Sequence, residues 1–267
     1  MPSTAPIGVF DSGFGGLSVL RAIRQCLPDE ALIYCADHAW LPWGERAPDV
    51  VRARAEALTG ALAQAGAKAI VIACNTATAA AADHLRARFR QPIVGMEPAV
   101  KPAVAATRCG IVGVLGTGGT LASARFSGLL TRYADGLEVV TRPAPELVAA
   151  VETDDPERRE ARVAAAVQPL LARGADVIVL GCTHFAFLRT EIEAHAGPRV
   201  AVIDTAAAVA RELERRLVAA DLCAPDAAGG AVRFWTTGDP APLQPTLERL
   251  WGEAELEVMP AAVTQPR

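Results

Sequence analysis

The feature that most limits the possible folds of this chain is an internal duplication. The segment AGAKAIV at residues 65–71 leads to Cys74. A similar segment, RGADVIV at residues 173–179, leads to Cys182 with the same spacing between its glycine and the cysteine. A repeat of this length is one supersecondary unit, so two copies predict two similar halves. Cys74 and Cys182 would then occupy equivalent positions in the two halves.

Each half alternates short apolar strands with longer segments of helical period. The clearest Val- and Ile-rich runs occupy residues 7–10, 69–73, 111–115, 177–180 and 200–203. The alternation predicts an α/β fold with two pseudo-symmetric lobes, each a mostly parallel sheet flanked by helices. Because ligands of such sheets bind beyond the carboxyl ends of the strands, we expect the active site in the cleft between the lobes.

A second pair of similar segments supports a division into lobes. GVFDSG at residues 8–13 resembles GVLGTG at residues 113–118. We expect residues 1–97 together with 210–267 to form the first lobe, which carries the first cysteine. Residues 98–209 would form the second lobe, with the second cysteine. The C-terminal segment is therefore expected to return to the first lobe.

The charge and composition of the chain indicate which class of molecule it binds. The net charge is −4, from 26 basic and 30 acidic residues that are interspersed along the chain. This distribution lacks the basic patch typical of nucleic-acid binding, and the sequence shows neither a membrane span nor a leader segment. We therefore expect a small-molecule substrate, no nucleic acid, no membrane and a cytoplasmic location.

The remaining cysteines and the lysines argue against a metal or a cofactor. No C-x-x-C pair suggests structural zinc, and the His184 that follows Cys182 has no second ligand at a suitable spacing. The only lysines, Lys68 and Lys101, are badly placed for pyridoxal phosphate. We expect no metal and no cofactor. The other four thiols are expected to be small buried side chains: Cys26, Cys35, Cys109 and Cys223.

Two equivalent cysteines across a cleft suit proton exchange at a carbon atom. Racemisation of an amino acid requires one group to remove the α proton and another to deliver a proton to the opposite face. A free thiol titrates near about pH 8.5, so one cysteine can be a thiolate while the other is a thiol. Asp11 and His184 are candidate partners for Cys74 and Cys182. Helix N-termini are expected after both cysteines, where they would favour negative charge.

The polar residues after the first strand of each half have two possible roles. Asp11 and Ser12 follow one strand, and Thr117 follows its counterpart. Each can cap a helix, and each can bind a ligand. Both interpretations remain open at this stage.

Six motifs in order resemble those of glutamate racemases in the aspartate/glutamate racemase superfamily, nearly from end to end. They are GVFDSGFGG at 8–16, ACNTA at 73–77, GMEP at 95–98, LGCTHF at 180–185, IDT at 203–205 and TTGD at 236–239. The resemblance implies two lobes, no cofactor, and conversion of L-glutamate to D-glutamate for peptidoglycan biosynthesis. It also implies a homodimer.

The resemblance also implies roles for individual residues. Cys74 and Cys182 match the paired proton donor and acceptor, with Asp11 and His184 assisting them. The matching substrate-binding residues are Asp11, Ser12, Trp43, Gly44, Asn75, Thr76, Thr117, Glu152, Thr183 and His184. Trp43 stands where the family usually has Tyr, and residues 38–40 and Ala47 also depart from its pattern. We expect these departures to lie along one segment that faces the cleft.

Three other functions remain open on the sequence alone. The first is racemisation of another acidic amino acid, such as aspartate. The second is a two-lobed ligand-binding or regulatory protein with little turnover, in which replacing a cysteine would leave binding largely intact. The third is a Cys–His acyl hydrolase that uses Cys182 with His184 and leaves Cys74 idle.

Overall fold

The computed structural model describes residues 3–153, 156–225 and 229–263. The strands in these ranges are β1 (Ile7–Asp11), β2 (Leu32–Ala36), β3 (Ala69–Ile72), β4 (Ile93–Gly95), β5 (Ile111–Gly116), β6 (Glu138–Pro143), β7 (Val177–Gly181), β8 (Ala201–Ile203), β9 (Val232–Thr236) and β10 (Val258–Pro260).

Helices connect these strands and cover the sheets. The α-helices in the same ranges are α1 (Leu17–Cys26), α2 (Pro48–Gln64), α3 (Asn75–Arg88), α4 (Val100–Ala106), α5 (Gly118–Leu121), α6 (Ala124–Tyr133), α7 (Pro145–Glu152), α8 (Pro156–Ala172), α9 (Arg189–Ala196), α10 (Ala206–Ala219) and α11 (Pro240–Trp251). Short 3₁₀ helices span His38–Trp40, Trp43–Glu45 and Thr183–Leu188.

The strands form two parallel sheets with related topologies. One sheet has the order β10-β9-β2-β1-β3-β4, and the other has the order β6-β5-β7-β8. The order β2-β1-β3-β4 of the first sheet is thus repeated in the second. The predicted α/β class with two lobes is confirmed, and the repeat in the sequence corresponds to a repeat in the topology.

The C-terminal strands belong to the first sheet. Strand β9 pairs in parallel with β2, and β10 pairs with β9. The chain therefore returns to the first lobe after it has completed the second. The residue limits of the two lobes stay a prediction. Residues 1–2, 226–228 and 264–267 of the predicted first lobe, and 154–155 of the predicted second lobe, lie outside the described part of the chain.

Equivalent glycines bring a helix close to the central strand of each sheet. A Cβ atom on Gly8 in β1 would lie 3.0 Å from Cβ of Leu62, and one on Gly113 in β5 would lie 2.8 Å from Cδ1 of Leu170. The two leucines belong to α2 and α8, which hold equivalent places in the two halves. Helix–sheet packing at this distance leaves no room for a side chain on the strand.

The central strands are covered on both faces. Every residue of β1, β3 and β7 is buried, as expected for parallel strands with helices on each side. Their carboxyl ends therefore emerge from a rigid core. In the described ranges, no helix is long and apolar enough to span a bilayer.

The prediction that four cysteines are small buried side chains is correct for Cys35 only. Cys26 and Cys223 are half-buried, and Cys109 is exposed. Cys109 lies in the turn before β5, where its backbone N–H donates to the carboxylate of Asp176 at 3.1 Å. Its Sγ also lies 3.4 Å from the carbonyl oxygen of Gly174.

Candidate active site between the two lobes

A cavity of about 550 Å³ lies between the carboxyl ends of the two sheets. The lining includes every residue that the sequence analysis assigned to the site: Asp11, Ser12, Trp43, Gly44, Cys74, Asn75, Thr76, Thr117, Glu152, Cys182, Thr183 and His184. Residues from both lobes contribute, because each lobe presents its strand ends to the other. A ligand in this cavity would be enclosed by polar groups from two independent scaffolds.

The two thiols have nearly the same local geometry. Cys74 follows β3 with φ −146° and ψ 123°, and Cys182 follows β7 with φ −145° and ψ 138°. Both are buried. A helix begins after each thiol, as expected: α3 follows Cys74, and a 3₁₀ helix follows Cys182.

A buried carboxylate accompanies Cys74. Asp11 accepts a hydrogen bond from the Ser12 N–H at 2.6 Å and another from Oγ1 of Thr183 at 3.0 Å. Helix α1 begins only at Leu17, so Asp11 and Ser12 do not cap it. Burial raises the pKa of Asp11, and burial together with the charge of Asp11 raises the pKa of Cys74 well above its ordinary value. Both effects favour the thiol form of Cys74 over the thiolate.

An imidazole accompanies Cys182. Nδ1 of His184 lies 3.7 Å from Sγ of Cys182, and Nε2 lies 2.7 Å from Oε1 of Glu152. Burial opposes the charge on His184, but the contacts with Cys182 and Glu152 outweigh it and raise the pKa of His184 well above its ordinary value. A protonated His184 stabilises negative charge on the sulfur. The two thiols therefore have neighbours of opposite charge.

Glu152 is held from both lobes. Its Oε1 accepts from the Phe14 N–H at 2.8 Å, and Nε2 of His38 lies 3.3 Å from its Oε2. Burial disfavours the carboxylate, but the hydrogen bonds from His184 and His38 outweigh burial and hold the pKa of Glu152 below its ordinary value. No motif marked His38 as a contact of Glu152, because the two residues are distant in sequence.

Hydroxyl groups form one wall of the cavity. Oγ1 of Thr76 and Oγ1 of Thr117 are 2.8 Å apart, and each also contacts Oγ1 of Thr120. Thr117 accepts a hydrogen bond from the Thr120 N–H and thus caps α5. Thr117 therefore caps a helix and also lines the cavity, and its contact with a ligand stays a prediction.

The amide of Asn75 marks a place for a ligand. The residue is 3% exposed and lines the cavity. Among the described residues, neither its Oδ1 nor its Nδ2 has a hydrogen-bond partner. Buried polar groups in folded proteins are almost always paired. A polar ligand in the cavity would satisfy this amide.

Trp43 replaces the expected tyrosine and is anchored behind the cavity. Its Nε1 donates to Oδ2 of Asp37 at 3.2 Å, and Asp37 is also held by Arg54. Trp43 lines the cavity, but residues 38–40 and Ala47 do not. The expectation that all the departures face the cleft is therefore wrong. Trp40 instead lies against the guanidinium of Arg54.

The region contains no obvious metal site. Within the described ranges, no group of three or more His, Cys, Asp or Glu side chains has an arrangement that could hold a metal ion. Two carboxylates of the cavity already have partners within it or beside it. Asp11 faces Cys74, and Glu152 faces two imidazoles.

The fold and the cavity define a class of two-lobed α/β proteins with a pair of thiols in the cleft between the lobes. The model of the Asp/Glu/Hydantoin racemase family matches residues 7–213. The chain belongs to the Asp/Glu/Hydantoin racemase family. The resemblance carried by the sequence motifs is thereby confirmed at the level of the family.

Proteins similar to this chain in sequence and in structure are named glutamate racemases. A glutamate racemase of Pseudomonas putida (strain GB-1) is 53% identical over 252 residues, which cover 93% of this chain and 94% of the relative. Glutamate racemase isoform RacE1 from Bacillus anthracis has a TM-score of 0.87 at 32% identity, with 98% of each chain covered. Escherichia coli glutamate racemase, solved with L-glutamate and the activator UDP-MurNAc-ala, has a TM-score of 0.85 at 31% identity, covering 98% of this chain and 100% of the other.

Proposed function

We propose that this chain is a cofactor-independent glutamate racemase that interconverts L-glutamate and D-glutamate and supplies D-glutamate for peptidoglycan biosynthesis. The observation that carries the proposal is the pair of thiols, Cys74 and Cys182, at equivalent strand ends of two lobes around one cavity. The names of the relatives support glutamate as the substrate.

The proposed mechanism moves one proton off and one proton onto the α carbon. A thiolate at Cys182 removes the α proton and becomes a thiol, and the electron pair left on carbon delocalises into the α-carboxylate. The thiol of Cys74 then donates its proton to the opposite face and becomes a thiolate. The reverse reaction uses the same two groups with exchanged roles. Exchange with solvent resets the two sulfur atoms after each turnover.

The charged neighbours of the two thiols favour a starting state with a thiolate at Cys182 and a thiol at Cys74. His184 stabilises a thiolate at Cys182, and Asp11 disfavours one at Cys74. Asp11 and His184 then serve to orient the sulfur atoms and to handle protons. Hydrogen-bond donors for the substrate carboxylates come from four hydroxyls, one amide and the backbone of one turn. They belong to Ser12, Thr76, Thr117 and Thr183, to Asn75, and to Trp43 and Gly44. Glu152 assists through His184.

Proton NMR in heavy water tests the proposal. We expect the α-proton signal of L-glutamate, and separately of D-glutamate, to disappear with purified protein, a reductant and no added cofactor, while optical rotation decays to zero. Cys35→Ser is the matched control, because Cys35 is a buried thiol outside the cavity and its loss should leave the exchange unchanged.

The same experiment with other substrates separates the alternatives. Exchange with aspartate but not glutamate would indicate a racemase for a shorter acidic amino acid. Binding without exchange would indicate a ligand-binding protein. The Cys–His hydrolase alternative predicts no role for Cys74, although Cys74 lines the same cavity as Cys182.

We also propose a homodimer and a cytoplasmic location. Both rest on the resemblance to glutamate racemases, and the cytoplasmic location suits an enzyme that supplies a cell-wall precursor. Sedimentation velocity should give twice the mass of one chain. Fractionation of cells should recover the protein with the cytoplasmic markers.

A further inference from the structure

His38 belongs to the first lobe but contacts a carboxylate of the second. Its Nε2 lies 3.3 Å from Oε2 of Glu152, and its Nδ1 lies 3.2 Å from Oγ1 of Thr236 at the end of β9. The ring also packs edge-on against Phe14, with 4.3 Å between the ring centroids. Contacts with three separate elements therefore fix its orientation.

The hydrogen bonds around His38 define a consistent proton arrangement. Oγ1 of Thr236 accepts from the Gly238 N–H at 3.1 Å, so the hydroxyl proton of Thr236 is available to Nδ1 of His38. Nε2 then carries the ring proton and donates it to Glu152. In this tautomer His38, Thr236 and Glu152 each have a hydrogen-bond partner.

The two oxygens of Glu152 have separate partners. Oε1 accepts from Nε2 of His184 at 2.7 Å and from the Phe14 N–H at 2.8 Å. Oε2 faces His38. If His38 were removed, the carboxylate would be held through one oxygen and could turn about its terminal torsion. Any such turn would displace His184, which lies against Cys182.

We propose that His38 is a positioning residue, which holds Glu152 so that His184 stays aligned on Cys182. The proposal rests on the racemase function proposed above and assigns His38 no contact with the substrate. Thr236 extends the same chain of contacts to the first sheet. The alignment of a thiol in one lobe thus depends on a strand end in the other.

Steady-state kinetics of three variants test this role. His38→Ala should lower kcat for L-glutamate about tenfold, equivalent to about 1.4 kcal/mol, with little change in KM because the substrate contacts remain. His38→Gln should recover most of the rate, because its amide N–H can reach the same oxygen of Glu152. Thr236→Val should give a smaller loss. His84→Ala is the matched control, since it removes a His–Glu pair of 2.6 Å away from the cavity.

Nitrogen NMR of the imidazoles gives a second readout that does not require turnover. The chain has four histidines, which makes assignment of His184 tractable. We expect its ring nitrogen signals to shift in His38→Ala and in Thr236→Val, to stay near wild type in His38→Gln, and to be unchanged in His84→Ala. If His38→Ala fails to fold, Thr236→Val carries the same comparison.

The outcomes separate the two proposals. Wild-type protein that exchanges no glutamate overturns the racemase proposal, whatever the spectra show. An active wild type whose His184 signals and kcat are unaffected by the loss of His38 overturns only the positioning role. A loss of rate that His38→Gln does not recover, with His184 signals unmoved, also overturns it.

Discussion

Removal of Arg54 tests whether the buried charge network behind the cavity stabilises the fold. Arg54 is 2% exposed and Asp37 is fully buried, and their side chains form hydrogen bonds of 2.6 and 3.0 Å. Each hydrogen bond to a charged group contributes about 1.5–3 kcal/mol, and breaking a buried pair from one side costs about 3–5 kcal/mol. We therefore expect Arg54→Leu to lower the free energy of unfolding by about 3–5 kcal/mol.

Asp37 would retain partial support in this variant. Oγ1 of Thr237 donates to it at 2.8 Å and Nε1 of Trp43 at 3.2 Å, but neither carries a positive charge. The double variant Arg54→Leu with Asp37→Asn should therefore be more stable than Arg54→Leu alone, because the uncompensated charge is gone.

Urea unfolding followed by tryptophan fluorescence measures the loss. The matched control is Arg52→Leu on the same helix, whose ion pair with Asp49 is largely exposed and should change the free energy of unfolding by less than about 0.5 kcal/mol. The reasoning is refuted if Arg54→Leu costs less than about 1 kcal/mol or no more than Arg52→Leu.

Three further predictions concern the thiols, the sheet and the turn before β5. Cys74→Ser and Cys182→Ser should each lower kcat at least about 10²-fold while glutamate still binds, measured by kinetics and calorimetry. Gly113→Ala should lower the free energy of unfolding by about 1–3 kcal/mol through overpacking against α8, whereas Gly128→Ala, on the open face of α6, should raise it by about 1 kcal/mol. In urea titrations at pH 7, Asp176→Asn should lower the free energy of unfolding by about 1 kcal/mol, after allowance for solvent screening.

The pH dependence of the last variant follows from the pKa of Asp176. Burial opposes ionisation, but hydrogen bonds from Thr107 and from the backbone of Arg108 and Cys109 lower the pKa to about 2. A lowered pKa stabilises the folded state above the unfolded pKa near about 4, and this stability is lost as the pH falls toward 2. The difference in the free energy of unfolding between wild type and Asp176→Asn should therefore become smaller below about pH 4. A difference that is independent of pH would contradict this assignment.

The predictions for the serine variants and for the glycine variants can each be contradicted by one result. Full activity in either serine variant would remove that thiol from the mechanism. Equal effects of Gly113→Ala and Gly128→Ala would show that the close approach of α8 to β5 does not control stability.

The sequence predicted the parts of the structure that follow from local pattern and repetition. Strand periodicity and the repeated glycine–cysteine spacing were sufficient to predict two related sheets and to place Cys74 and Cys182 at equivalent ends. The reason is physical, since buried parallel strands require continuous apolar runs and their ends must turn at polar residues.

Contacts between distant segments could not be predicted in this way. His38 reaches Glu152 and Thr236 only because the C-terminal strands return to the first sheet. The sequence predicts a helix start after Cys182 but not its 3₁₀ type, because an α-helix and a 3₁₀ helix share the same starting residues. The direction of the side chains at residues 38–40 likewise depends on partners that only the fold supplies.

Deuterium labelling at low conversion tests the central claim most directly, namely that two thiols act on opposite faces of one α carbon. L-glutamate would be incubated with the protein in heavy water, and the two enantiomers would be separated. Mass spectrometry would then measure the deuterium content of each. The account predicts that the D-glutamate formed carries deuterium from an exchanged thiol while the remaining L-glutamate stays unlabelled. Product that retains the original proton, or equal labelling of both enantiomers from the start, would indicate a single base and contradict the account.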